Sequence, residues 1–239
     1  MDPTIIFENI NLYVEGLFTT IELVTLALLL GFALAVPLAL LQTSKNPVLW
    51  MPVWAYSYFF RGTPLLVQLF LIYYGAGQFE AVRTSVLWPY LREAWSCALI
   101  AFTLNTAAYT TEILRGAIKG MPHGEIEAAK AVGMSKVQRY RRIILPSAFR
   151  RALPAYSNEV IFMLHGSAVA SVITIVDLTG AARIINSRFL SPYEAFITAA
   201  IFYLALTFTI VWLFRMVEKR WFAHLRPQET KKAKAVPAE

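Results

Sequence analysis

Charge is scarce in this chain. Only 15% of its 239 residues are Asp, Glu, Lys or Arg, against roughly 25% in a soluble globular domain, which argues against an ordinary water-soluble fold. Cysteine is reduced to one, Cys97. That excludes an intrachain disulfide, and its place at the start of an apolar run suits a buried structural thiol. Histidine occurs three times, at His123, His165 and His224, scattered over loop, apolar run and tail, so the sequence predicts no metal centre. His165 reads as a buried helix-packing partner. No glycine-rich phosphate loop and no convergent nucleophile and base are present, which argues against catalysis by this chain. The N-terminal segment has no Lys or Arg, holding Asp2, Glu8 and Glu15 instead. Without a basic leader it does not read as a cleavable signal, and the first apolar run is expected to act as its own uncleaved insertion signal.

What is abundant is hydrocarbon. Apolar residues make up 57% of the chain and the mean hydropathy is +0.53. Crossing a bilayer takes about 20 mostly apolar residues, and five runs qualify: Leu17 to Leu41, Pro52 to Gly75, Trp95 to Ile113, Ala155 to Leu178 and Ala195 to Met216. The expected fold is an all-α membrane protein of five transmembrane helices. One membrane domain, residues 1–228, contains a cytoplasmic loop, 116–154, and is followed by a disordered tail, 229–239. Basic residues crowd the loop after the third run (Arg115, Lys119, Lys130, Lys136, Arg139, Arg141, Arg142, Arg150, Arg151) and the segment after the fifth. Only Arg83, Arg92, Arg183 and Arg188 fall in the connections after runs two and four. The positive-inside rule then puts the N-terminus outside and the loop and C-terminus in the cytoplasm. The sequence pI near 9.6 is explained by this topology rather than by nucleic-acid binding.

Several spans carry polar residues that lipid would not tolerate. In the second, Arg61-Gly62-Thr63-Pro64 predicts a local helix break, because Pro64 lacks an amide donor and Gly62 loosens the same turn; Arg61 must face protein or water. In the first span, Gly31 and Pro37 are expected to introduce a bend. In the third, Asn105, Tyr109 and Glu112 share a helix face. In the fourth, Tyr156-Ser157-Asn158-Glu159 opens the run, and Glu159, Met163 and Gly166 share a face, with Gly166 allowing close helix approach. Ionisable groups inside spans are candidate ligand contacts. Glu159 is the first choice, with Ser157 and Asn158 adding hydrogen-bonding groups beside it, and Asn105 a further candidate. Glu112 is either a substrate contact or a salt-bridge partner of Arg115, and Asp177 either an external gate or a solvated helix end.

The loop after the third span reads as two short helices between two proline stops, Pro122 and Pro146. Glu125 and Glu127 fall in the first turn of one, where carboxylates suit the helix dipole. Gly133 closes that helix in a left-handed conformation, and Ser135 with Gln138 forms a capping box for the next. The small side chains Ala128, Ala129, Ala131 and Gly133 leave a knob onto which another protein can close.

The pattern Glu127-Ala128-Ala129, Gly133, then Ile143, Leu145 and Pro146 resembles the coupling-loop motif of the membrane subunits of ATP-driven (ABC) importers. Arg61 to Leu65, Asn105 to Glu112, Pro122 to Ala129 and Leu153 to Val160 are similar to the polar amino-acid branch of those permeases, the histidine/lysine-arginine-ornithine (HisM-type) family, over about Pro52 to Glu218. The resemblance implies the type I importer permease fold in the bacterial inner membrane. It further implies a partnership with a second similar or identical permease, a periplasmic amino-acid-binding protein and two cytoplasmic ATPase subunits. ATP and Mg would be bound by those ATPases and no cofactor by this chain. Glu127, Ala128, Ala129, Gly133, Leu145 and Pro146 would couple to the ATPase, and Glu159 would meet a cationic L-amino acid such as arginine, lysine, histidine or ornithine. His165-Gly166-Ser167-Ala168 departs from the His-Ser-Thr-Ala of that branch, and octopine and nopaline permeases share many of these segments, so an opine is the alternative cargo. An ion channel would also need polar intramembrane faces, but it would not need a coupling knob.

Overall fold

The computed structural model describes residues 4–221; the predicted tail, 229–239, lies outside the described residues. A short α1 (Thr4–Glu8) precedes α2 (Ile10–Gln42), which runs unbroken through Gly31 and Pro37. Gly31 has a packing role. A Cβ there would collide with the Thr106 methyl and lie 3.3 Å from the Ala107 nitrogen, so the missing side chain lets α2 seat against α7 (Ala94–Lys119). That pair forms the most extensive helix contact of the bundle.

The second apolar run is split, as its sequence predicts. α3 (Pro47–Gly62) ends at Thr63, which is extended at φ −116° and ψ 145°, and the chain restarts as α4 (Leu65–Phe70). Pro64 pushes the residue before it out of the helical region. A π-turn over Leu71–Gly75 and a 3-10 turn over Ala76–Gln78 carry α4 onward. Two single-turn helices, α5 (Glu80–Arg83) and α6 (Trp88–Leu91), then lead into α7. Cys97 is buried there and its thiol donates to the Leu91 carbonyl.

The basic loop holds α8 (His123–Ala131) and α9 (Lys136–Arg139). Pro146 is not the stop that the sequence predicts. A π-turn over Tyr140–Ile144 joins α9 to α10 (Leu145–Gly166) without a break, and Pro146 follows directly on that turn, where the helical hydrogen-bond register shifts. The fourth run is therefore not one helix from Ala155 to Leu178. α10 begins at Leu145, gives way to a 3-10 turn over Ser167–Ile173, and breaks at left-handed Thr174 before α11 (Leu178–Phe189). Asp177 is not a solvated helix end. It is 1% exposed and caps α11, accepting from the Gly180 amide at 2.8 Å and the Tyr203 hydroxyl at 3.3 Å. The last helix, α12 (Pro192–Trp221), packs on α10 and α11.

Among the described residues α2, α7 and α12 are long and apolar enough to cross a membrane, and the helical stretch Lys136–Ile173 with α11, bent by 46°, makes a fourth crossing if taken as one. α3, at 16 residues, falls short of the roughly 20 needed. α7 is the central helix: 61% of its most apolar stretch is buried, against 6% for α12. Its alanines Ala98 and Ala101 pack with Leu23, Ala27, Leu69 and Met163 in the main core, small side chains again permitting close helix approach.

Candidate functional site

A cavity of about 360 Å³ opens where the break between α3 and α4 faces α7 and α10. The break supplies Thr63, Pro64 and Leu65, α7 supplies Asn105 and Tyr109, and α10 supplies Glu159, Phe162, Met163 and Gly166. The spacing i, i+4 aligns Asn105 with Tyr109, and the spacing i, i+4, i+7 aligns Glu159 with Met163 and Gly166. Gly166 brings α10 close to α4: a Cβ there would lie 3.2 Å from a Leu65 methyl.

Breaking a helix in a membrane frees backbone carbonyls that must find donors. Gln68 supplies them, donating from Nε2 to the Phe60 carbonyl at 2.7 Å and to Thr63 at its carbonyl (3.0 Å) and hydroxyl (2.7 Å). Its Oε1 accepts from Asn105 at 3.0 Å. Asn105 is thus committed largely to holding the break, and Gln68, which sequence reasoning passed over, is the keystone. The signal was available: it is the single amide within Leu65–Phe70.

Glu159 is 5% exposed and accepts one hydrogen bond, from the Thr106 hydroxyl at 2.8 Å. Among the described residues no basic side chain pairs with it. The Arg61 guanidinium, held at Glu112, acts on it only from beyond ion-pair distance. Burying a carboxylate without a close counter-charge costs several kcal/mol, on the order of the penalty for any desolvated ion, so this arrangement favours a cation in the cavity. Because α10 starts at Leu145, Glu159 lies well inside the helix rather than at its mouth. Its neighbours in sequence do not join it. Ser157 donates to the Pro154 carbonyl of its own helix at 2.7 Å, Asn158 is exposed, and neither lines the cavity.

Glu112 also stands apart. It accepts from Arg115 at 2.9 and 2.6 Å and from Gln42, and it lies 3.8 Å from Arg61. Arg61 stacks 5.5 Å from the Tyr109 ring. This network ties α2, α3 and α7 together and leaves Glu112 fully engaged; of its two readings from sequence, the salt bridge is the one observed. His165 is exposed rather than buried and pairs with Thr207 of α12 at 3.1 Å.

The knob of the basic loop is built by backbone geometry. Gly133 has φ +75°. Its amide donates to Lys130 at 2.9 Å, and the Met134 amide reaches back to Ala129 at 3.1 Å, the paired bonds of a Schellman cap. Ser135 and Gln138 complete the expected capping box. Glu125 lies in the first turn of α8, but Glu127 falls in the second, because the helix starts at His123 rather than later. Ala129 turns inward at 3% exposure, while Glu127, Ala128 and Gly133 face outward beside Val132 and Val137, 77% and 75% exposed. Leu145 and Pro146 lie at the root of α10, away from this tip.

Comparison with known proteins gives this geometry a context. Residues 23–223 match the family model described as binding-protein-dependent transport system inner membrane component. The nopaline transport system permease protein NocM of Agrobacterium fabrum is 47% identical over 95% of this chain and 94% of its own length. The histidine/lysine/arginine/ornithine transport system permease protein HisM of Escherichia coli is 48% identical over 90% of this chain and 91% of its own. A solved amino acid ABC transporter, crystallised with histidines, superimposes with a TM-score of 0.82 at 34% identity, covering 92% of this chain and 99% of that one.

Proposed function

This chain belongs to the binding-protein-dependent transport system inner membrane component family, and from that premise we propose that it is the permease subunit of an ATP-driven importer of cationic L-amino acids. It is a multi-pass inner-membrane protein of the class that carries polar amino acids and opines. Arginine, lysine, histidine and ornithine are the proposed cargo, and the observation that carries this choice is Glu159, a buried carboxylate at the wall of a cavity with no ion-pair partner among the described residues. A guanidinium or ammonium leaving water would find there the charge-assisted partner it needs.

The rest of the transporter is assigned on the same reading. Five crossings, with the broken α3–α4 pair as the second and α10 with α11 as the fourth, place the N-terminus in the periplasm and the basic loop in the cytoplasm. A second permease, similar or identical, completes the path, because one small bundle is too thin to enclose a gated route. A periplasmic binding protein delivers the amino acid. Two ATPase subunits, which hold ATP and Mg, grip the knob from Glu127 to Gly133, and their closure is transmitted through Leu145 and Pro146 into α10, the helix that bears Glu159. Alternating access then exposes the cavity to one side at a time. An opine is the second reading, favoured by the similarity to the nopaline permease.

The test is uptake of labelled arginine by cells lacking and then regaining the gene, with histidine, lysine, ornithine, octopine, glutamine and glutamate as unlabelled competitors. Competition by the cationic amino acids supports the proposal. Best competition by octopine moves the cargo to the opines, and best competition by glutamine or glutamate removes the reason for giving Glu159 its role.

A further inference from the structure

Two recesses meet at the end of the bundle that carries the basic loop, apart from the Glu159 cavity. One is an apolar slot of about 280 Å³ lined by Phe32 of α2, Ile113 of α7, Phe149 and Tyr156 of α10, and Phe214 and Trp221 of α12. Its walls are interlocked rings: Phe32 lies 5.7 Å from Phe149 and 5.4 Å from Tyr156, and Tyr156 lies 6.3 Å from Phe214. The other, about 610 Å³, is bounded by Pro146, Phe149, Arg150, Arg220 and Trp221. Phe149 and Trp221 belong to both, so the hydrocarbon slot opens directly onto two guanidinium groups. Among the described residues neither Arg150 nor Arg220 has an ion-pair partner, whereas Arg151 is tied to Glu125 at 3.5 Å.

We propose that this composite recess is a binding site for an anionic glycerophospholipid, with an acyl chain in the aromatic slot and the phosphate between Arg150 and Arg220. A slot without charged side chains, facing a bilayer, is filled by hydrocarbon, and an arginine pair at its mouth selects the headgroup, since planar guanidinium groups match phosphate oxygens in pairs. Trp221 lies at the mouth, the level that tryptophan favours in a membrane interface. A zwitterionic headgroup would bring its own ammonium against the two arginines and be disfavoured. The chain's own continuation is disfavoured too: residues 222–239 hold Arg226, Lys231, Lys232 and Lys234 against Glu229 and Glu239, the same sign as the recess. On the proposed orientation the site faces the cytoplasmic leaflet, where basic pockets between helices meet anionic lipid. The site rests on membrane embedding and, for its leaflet, on the proposed orientation, and not on the identity of the cargo.

Native mass spectrometry of the assembled, delipidated transporter, titrated with phosphatidylglycerol or phosphatidylethanolamine, tests the proposal. Phosphatidylglycerol is expected to bind more tightly. A basic residue near an anionic surface is worth about fivefold in affinity, so Arg150→Gln with Arg220→Gln should weaken phosphatidylglycerol by about thirtyfold, while Arg150→Lys with Arg220→Lys should restore most of it. Both arginines lie on the exposed surface, and elution of the intact complex checks that the variants assemble. Leu153 also lines the slot, and filling it with Leu153→Trp should weaken both lipids. Equal binding of the two lipids, or a phosphatidylglycerol preference that survives the glutamine pair, overturns the proposal. So does displacement of the lipid by millimolar inorganic phosphate, which marks a simple anion site. Binding that appears only after removal of residues 222–239 assigns the recess to the tail, and no binding at all to the assembled transporter assigns it to the partner permease; each refutes a lipid site.

Discussion

Replacing Glu159 by Gln separates charge from shape. The glutamine keeps the volume and an oxygen that accepts from the Thr106 hydroxyl, now bonded at 2.8 Å, so the contact between α7 and α10 survives. What is lost is the negative charge on a side chain only 5% exposed. No described basic residue pairs with it directly, and Arg61 acts on it only at longer range, so most of the loss falls on whatever cation enters the cavity. Hydrogen bonds to charged groups are worth about 1.5–3 kcal/mol, which corresponds to a fall of about tenfold to 150-fold in the kcat/KM of arginine transport. Citrulline, which replaces the guanidinium with an uncharged ureido group, has no such interaction to lose and should change little. The assay is paired uptake of labelled arginine and citrulline into proteoliposomes holding the full transporter. Equal losses for both would show that Glu159 supports the fold of the cavity rather than the cargo, and undiminished arginine transport would show that it meets neither.

Four further outcomes rest on named contacts. Gly133→Val meets no steric obstacle within 4 Å but forces a β-branched residue to φ +75°, which costs upwards of about 1–2 kcal/mol; the protein should insert normally while substrate-stimulated ATPase activity is lost, and normal uptake would remove the knob from the coupling path. Gly31→Ala drives a methyl into the Thr106 side chain, the group that holds Glu159, so arginine transport should fall more than the amount of folded protein measured by gel filtration; parallel falls would make the effect purely structural. Asp177→Ala deletes the α11 cap and the Tyr203 bond, lowering stability by about 1–2 kcal/mol, whereas Asp177→Asn should retain most of it in a thermal melt; equal melts for the two variants would refute the capping role. Compartment-specific reporters inserted at the turn near Thr43 and in the loop near Lys136 should read cytoplasm, and those near Val86 and Leu190 should read periplasm; any other alternation refutes five crossings.

The parts of this molecule that sequence made legible are those decided by local backbone chemistry. Gly133 adopts the left-handed cap, Ser135 and Gln138 close their box, and the helix parts at Gly62 to Pro64, because each outcome depends on residues within a few positions of one another. The site was legible only in part. Asn105 and Glu159 were found from helical spacing, and both do face one cavity. Ser157 and Asn158 were linked to Glu159 by adjacency in the chain, yet consecutive helical residues point apart by about 100°, and a hydroxyl in a helix readily bonds its own backbone. Gln68 escaped notice because its role exists only once the carbonyls of the broken turn have been freed, a demand that no periodicity displays. His165 and the burial of Asp177 depended on where α12 packs, which is tertiary information, although the bond from the Gly180 amide to Asp177 is local.

Pro146 is the instructive error. The apolar run begins only at Ala155, and a stop at Pro146 agrees with that start, which sets Glu159 close to the mouth of the basic loop. Proline ends a helix only where the amide it lacks is needed and where its ring meets the preceding turn. Pro146 follows directly on the π-turn over Tyr140–Ile144, where the Leu145 amide bonds the Tyr140 carbonyl and the hydrogen-bond register shifts, and the helical run passes through it unbroken. The helix therefore starts at Leu145, and Glu159 lies in the interior with 5% of its surface exposed. The same continuity joins the knob to the cavity wall through a single run of helical turns from Lys136 to Gly166. A break at Pro146 would have isolated the loop from the site; its absence makes α10 a lever, with the proposed ATPase contact at one end and the carboxylate near the other.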